Sequence, residues 1–379
     1  MMLPNPTLTL SGERFTVHYR IVGTGAGALE LAKGICHEQT VEFPASLVPP
    51  GDIKEHIVGR IESLQPVSAT YSEAEISYAV ETTGFEFTQF LNVLFGNSSI
   101  KPGIRVERFS LPPSLLGRFK GPRFGTDGLR DYLNVPDRSL LCTALKPMGL
   151  SATDLAELAY QFALGGIDII KDDHGLANQP FAPFEERVRR CAEAVQKANR
   201  ETGRRAIYMP HIAGTVDKVV EQALLAKRAG AGGLLVAPGL VGLDAMRLVA
   251  EDDRIGLPVM SHPALLGSFV TSRRSGISHY ALFGQIARLA GADASIYPNW
   301  GGRFSFSRKE CRSIVEGATV SMGHLKPIFP TPGGGMSLER VPEMRRFYGK
   351  DVILLMGGGL FQGGPDLAAN CRHFLSLLS

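Results

Sequence analysis

The sequence predicts an α/β chain of two domains: a C-terminal (β/α)8 TIM barrel, residues 126–379, preceded by an N-terminal α+β (ferredoxin-like) domain, residues 1–125. Three observations predict it. Eight short apolar runs alternate with eight amphipathic stretches along the second part of the chain, which is the element count of a closed barrel. The first 125 residues lack that alternation. Two glycine triplets, Gly333 to Gly335 and Gly357 to Gly359, follow the seventh and eighth runs, where barrels build phosphate sites. An open doubly wound sheet would carry its glycine-rich loop after the first strand instead.

In the first domain "RFTVHYRIVG" alternates β-branched and aromatic residues and reads as a strand. "GALELAKGICHEQ" reads as a helix, "HIVGRIESLQ" and "EAEISYAVE" as strands, and "TGFEFTQFLNVLFG" as a helix. A loop rich in Pro and Gly follows, "LPPSLLGRFKGPRFGTDGL". The barrel strands are then "LLCTALK", "DIIKDD", "AIYMPHIAG", "GGLLVAPG", "LPVMSHP", "ASIYPN", "KPIFPTPGGG" and "DVILLMGGG". The stretches after them have apolar residues at helical spacing, and most end at or near Gly. Ser151 and Thr153 are N-cap candidates for the first of these helices.

Composition narrows the function. With 40 basic and 37 acidic side chains and no long basic run, the chain does not read as a nucleic-acid binder. The start, Met-Met-Leu-Pro, is not a signal peptide, and no apolar run is long enough to span a membrane. Five dispersed cysteines without CxxC spacing predict free thiols in a reducing cytoplasm.

The C-terminal strand ends of a barrel face the active site. Here they read Lys146, Lys171 to His174, His211, His262, Asn299 and the two glycine triplets. Alternation puts Lys171 and Asp173 on one side of their strand and Asp172 on the other. One reading is a plain salt-bridged strand end, in which Lys171 neutralises Asp172 or Asp173. The other is a site where lysine, carboxylate and imidazole converge. A partly buried lysine such as Lys146 acts as an acid or base when its pKa is lowered. The triplets expose main-chain N–H groups that suit a phosphate. The residues thus predict a barrel enzyme that moves protons on a phosphorylated small molecule. A metal at Lys171, Asp173 and His174 requires a modified lysine, because an ammonium has no lone pair.

"GGIDIIKDDHGLANQPF", "CTALKPMGLS" and "MGGG" resemble signatures of the ribulose-bisphosphate carboxylase large-chain family, and the likeness spans nearly the whole chain. The resemblance implies a carbamylated Lys171 which, with Asp173 and the residue at His174, holds Mg²⁺. Catalytic roles fall on Lys146, Lys171, His262 and Glu38, and substrate or phosphate contacts on Thr143, Arg303, Gly334, Gly335, Gly357 and Gly358. It also implies a homodimer in which Glu38 completes the neighbouring subunit's site.

The departures matter as much. His174 stands where the family has a glutamate ligand, and Met148 where it has a second lysine. Pro263 replaces an arginine that holds one phosphate. The histidine that assists it falls near Ile296 and Tyr297, and Arg303 falls near the mobile lysine. These losses argue against carbon dioxide fixation and leave one phosphate site. The chain is therefore similar to a RuBisCO-like protein (form IV) that enolises a sugar monophosphate. The expected reaction is isomerisation of a substrate such as 5-methylthioribulose 1-phosphate. The alternatives are a decarboxylase or transcarboxylase of a 3-oxo sugar-acid phosphate and a non-catalytic sugar-phosphate binding protein.

Overall fold

A computed structural model of the chain describes residues 4–304 and 306–378. The chain forms two compact units. The first comprises residues up to Phe119 together with Gly267–Leu282 and Met322–His324, and the second comprises the rest. A single cut at 125 therefore misses two segments that lie far along the chain and pack with the first unit.

The first unit opens with β1 (Arg14–Val22), β2 (Arg60–Pro66), β3 (Tyr71–Ala79) and β4 (Ile104–Ser110). Helices Gly25–Glu38 and Phe87–Phe95 follow β1 and β3. On β1 Phe15, Val17, Tyr19 and Ile21 are buried and the residues between them are not, the alternation expected of a half-buried strand. β1 pairs antiparallel with β3 and with β4, and β2 with β3. The order β4-β1-β3-β2 is that of a ferredoxin-like sheet. The sequence reading passed over β4, for a visible reason. Ile104, Arg105 and Val106 are all buried, so the period of two is broken by an arginine on the inside.

The second unit runs β5 (Leu140–Leu145), β6 (Ile169–Asp172), β7 (Ile207–Met209), β8 (His211–Ile212), β9 (Leu234–Val236) and β10 (Val259–Ser261). Strand β11 (Gly276–Ile277) belongs to the first unit, where it joins the free edge of β4. The second unit then resumes with β12 (Ala294–Pro298), β13 (Phe329–Gly333) and β14 (Ile353–Leu355). All its ladders are parallel, in two arcs: β14-β5-β6-β7 and β8-β9-β10-β12-β13.

Proline explains both breaks between the arcs. Pro210 splits one barrel strand into β7 and β8, yet its carbonyl still accepts from the Leu235 N–H at 2.9 Å. On β13 the Phe329 N–H points to the β12 side and meets Asp293 O, just before that strand, at 3.0 Å. The alternate positions facing β14 are Pro330 and Pro332, which have no N–H to give.

The barrel interior is a packed core. Cys142, Ile169, Met209, Leu235, Met260, Ala294, Phe329 and Ile353 bring one side chain from each barrel strand. Leu129 and Leu133 from helix Gly125–Leu133 pack into the same cluster. The outer helix Ala152–Leu164 starts in a reciprocal capping box between Ser151 and Asp154. Ser151 is its N-cap, and Thr153 lies inside the helix. The five cysteines are buried free thiols. Among the described residues no helix is long and apolar enough to cross a membrane.

Candidate active site

Strand alternation carries the interior face from the core to the rim. Cys142 leads to Ala144 and Lys146, Ile169 to Lys171 and Asp173, Met209 to His211, and Met260 to His262. The strand ends thus bring together five of the polar residues singled out from the sequence. Thr143 falls between the interior positions of β5 and is fully buried, so alternation turns its side chain away from the barrel interior.

The four charged positions at 171–174 each have a distinct environment. Asp172 has no exposed surface. It accepts from Arg187 Nε at 3.1 Å, from the Tyr208 hydroxyl at 2.7 Å and from the His211 main-chain N–H at 3.0 Å. Arg187 is also fully buried, and it donates to the carbonyls of Ala182 and Ala177, both at 2.7 Å. This pair ties the loop after β6 to the strand. Sequence reasoning missed Arg187, although alternation had already placed Asp172 outward, where a buried carboxylate needs a cation.

Asp173 faces the other way. Its Oδ1 lies 2.8 Å from Lys146 Nζ and 3.2 Å from His174 Nδ1. Burial would raise its pKa, but hydrogen bonds from His174 and Lys146 and the charges of both lysines hold it well below the usual carboxylate range.

Lys171 is left over. Both aspartates are matched by other cations, so the simple salt-bridge reading fails for it. Its Nζ donates to the carbonyl of Asp172 at 3.1 Å, and it is 2% exposed. Burial, aided by the charge of Lys146, lowers its pKa. Burial thus disfavours the charged form of this amine.

His174 stacks on His262, with ring centroids 4.3 Å apart and planes at 15°. His262 Nδ1 accepts from the Ala264 main-chain N–H at 3.1 Å. A main-chain N–H only donates, so the ring's own proton sits on Nε2. Burial first, then the charges of Lys171, His174 and His211, push its pKa down to about 2. His262 is therefore a neutral hydrogen-bond donor and a poor base.

The donor set implied for Mg²⁺ does not fit as it stands. One oxygen of Asp173 is already shared by Lys146 and His174, and His174 offers nitrogen where a hard cation prefers oxygen. Lys171 would contribute oxygen only as a carbamate. Among the described residues no three His, Cys, Asp or Glu side chains are grouped to hold a metal ion.

The glycine triplets lie side by side. A Cβ on Gly359 would meet Met336 O at 2.7 Å, whereas one on Gly357 or Gly358 would meet nothing within 4 Å. Gly334 and Gly335 have φ of +87° and +81°, a conformation that favours glycine. Arg303 joins them, its main-chain N–H donating to Gly334 O at 3.1 Å. Open space, small residues and an exposed guanidinium suit an anion. Asn299, also at a strand end, is instead fully buried and bonded to the Tyr348 hydroxyl at 2.7 Å. Glu38 ends helix Gly25–Glu38 in the first unit. Its hydrogen bonds with Lys101 and Asn97 lower its pKa.

Comparison with known proteins identifies the family. The family model for the ribulose bisphosphate carboxylase large chain, catalytic domain, matches residues 125–370. The chain is 39% identical over 362 residues to ribulose bisphosphate carboxylase-like protein 1 of Rhodopseudomonas palustris, covering 96% of each. It is 40% identical over 365 residues to the 5-methylthioribulose-1-phosphate isomerase of Rhodospirillum rubrum, again covering 96% of each. A crystal structure of a Rubisco-like protein from Rhodopseudomonas palustris superposes with a TM-score of 0.87 at 38% identity, over 96% of this chain and 97% of that one.

Proposed function

The chain belongs to the ribulose-bisphosphate carboxylase large-chain family as a RuBisCO-like protein, and from that premise we propose that it is a non-carboxylating enzyme that isomerises a ketose 1-phosphate through an enediolate. The substrate class follows the isomerase of Rhodospirillum rubrum, and 5-methylthioribulose 1-phosphate is the first candidate. The observation that carries the reading is Lys171: a buried amine of lowered pKa, with its two neighbouring aspartates already paired elsewhere.

In this reading the phosphate rests on the N–H groups of Gly334, Gly335, Gly357 and Gly358, with Arg303 beside it. His262 donates its Nε2–H to the ketone oxygen. Lys171 Nζ takes the proton from the carbon next to that ketone. The enolate charge is met by the Lys146 ammonium, which Asp173 holds in place. Lys171, now an ammonium, returns the proton to the former ketone carbon, and the neighbouring hydroxyl passes its proton to the former ketone oxygen, so the carbonyl moves by one carbon. A neutral imidazole that polarises a carbonyl while another group abstracts the proton is a known division of labour in barrel enzymes. Two such proton-transfer aids each contribute about 10²–10⁴-fold. No step is drawn through a metal, because the unmodified donor set does not suit Mg²⁺. The active form is a homodimer in which Glu38 completes the partner's site.

The test is solvent-deuterium exchange followed by NMR on a panel of ketose 1-phosphates. Wash-in that falls at least ~100-fold in Lys171→Ala supports the reading. Carbon dioxide release from a 3-oxo sugar-acid phosphate without wash-in to any ketose makes the protein a lyase. No change in any sugar phosphate makes it a binding protein.

A further inference from the structure

His211 plays no part in the chemistry above, yet it is built into the same rim. It lies two residues beyond the interior Met209, so its ring faces the barrel interior. The ring is 1% exposed. Nδ1 lies 2.9 Å from the carbonyl oxygen of Leu176. A carbonyl only accepts, so Nδ1 carries the proton and Nε2 keeps a bare lone pair. That Nε2 is buried and has no hydrogen-bond partner among the described residues. The backbone is anchored too, through the His211 N–H to Asp172 Oδ2 at 3.0 Å. Ring and main chain are thus both held from β6 and the loop after it, which fixes the tautomer and the direction of the lone pair. An unpaired buried acceptor is costly unless a donor arrives to fill it.

Resting on the sugar-phosphate reading, we infer that His211 Nε2 is a substrate-binding acceptor that takes a hydrogen bond from a hydroxyl group of the bound phosphorylated sugar. Burial, then the charges of Lys171 and His174, lower the ring's pKa, which suits accepting a hydrogen bond better than taking a proton. The atom has no solvent-exposed surface, so a hydroxyl reaches it only as the groups around it move. The polar hydroxyl-bearing part of the substrate would therefore lie toward β8, and sugars lacking that hydroxyl would be selected against.

The experiment uses the full chain with ¹⁵N-labelled histidine. Its His211 Nε2 resonance is assigned by its loss in His211→Asn. Titration with 5-methylthioribulose 1-phosphate is expected to move that resonance upfield, and titration with inorganic phosphate to leave it in place. His211→Asn keeps a donor for Leu176 O and deletes the acceptor, so KM rises roughly tenfold with kcat nearly unchanged. His211→Gln carries an amide oxygen toward the Nε2 position and recovers part of the loss. A resonance that stays put while the wild type turns the ketose over, or an unchanged KM in His211→Asn, overturns the inference and leaves the isomerase reading standing. A shift produced by a 3-oxo sugar-acid phosphate, in a protein inert toward ketoses, keeps the role of His211 and overturns that reading instead.

Discussion

At Lys171 the decisive fact is an absence of pairing. Arg187 takes Asp172 and Lys146 takes Asp173, so the third cation sits buried without a carboxylate within ion-pair distance among the described residues. Its pKa falls below the ordinary 10.5. The sign follows directly. The amine is the reactive form, so the exchange rate rises with pH, and the limb of the pH–rate profile lies below the ordinary lysine value. Stability moves the same way: an unfolded lysine binds a proton that the folded one resists, so the folded state loses stability as pH falls through the lowered value. A profile that is flat up to the ordinary lysine range would remove Lys171 as the base. His174 carries a separate prediction. His174→Glu restores a carboxylate oxygen beside Asp173. In bicarbonate buffer, calorimetry should find Mg²⁺ affinity at least ~10-fold higher than in the wild type.

Among the elements, the strand starts are fastened as firmly as the strand ends are left open. Asp293 precedes β12 and is buried. Its Oδ1 accepts from Phe124 N at 2.7 Å and Gly125 N at 2.8 Å, and its Oδ2 from Val259 N at 2.9 Å. One carboxylate thus joins the helix Gly125–Leu133 to β10 and β12. Burial pushes its pKa up to about 6, against the pull of those three N–H donors. Asp293→Asn turns an amide donor toward one of them and should cost about 1–3 kcal/mol. Because the folded pKa is raised, the contribution of Asp293 is complete below the unfolded value of 3.8 and is lost as pH rises through about 6. Urea denaturation should therefore find the gap between wild type and Asp293→Asn narrowing from pH 4 to pH 7. At the rim, Gly358→Ala adds a Cβ into open space. It should leave the melting temperature unchanged and raise KM for the sugar phosphate.

For the whole molecule, Glu38 in the proposed reading completes the site of the partner subunit, as the family resemblance implies. That sharing makes a complementation test possible. Glu38→Gln and Lys171→Ala homodimers should each be inactive. Mixed and re-equilibrated, they should regain roughly a quarter of wild-type activity, since half the dimers then hold one intact site. No recovery on mixing, with subunit exchange verified by mass spectrometry, would place Glu38 outside the site.

Much of this was legible in the sequence. The eight barrel strands, the strand-end positions of Lys146, Lys171, Asp173 and His262, and the glycine triplets all follow from local rules: a period of two, a period of 3.6 and the punctuation of glycine. Those rules act over a few residues, and the chain states them directly. Who pairs with whom is a different matter, settled between elements and not along the chain. Arg187 meeting Asp172, the direction of Thr143, the stacking of His174 on His262 and the bare lone pair of His211 depend on which strands become neighbours when the barrel closes. Buried Arg105 hid β4 for the same reason, since its burial depends on the packing of the first unit and not on its neighbours in the chain. Local pattern alone carries these polar residues to the rim. The closed barrel sets which of them are neutralised and which, like Lys171, are left without a carboxylate partner among the described residues, because the energy of a buried charge is set by partners that are distant in sequence.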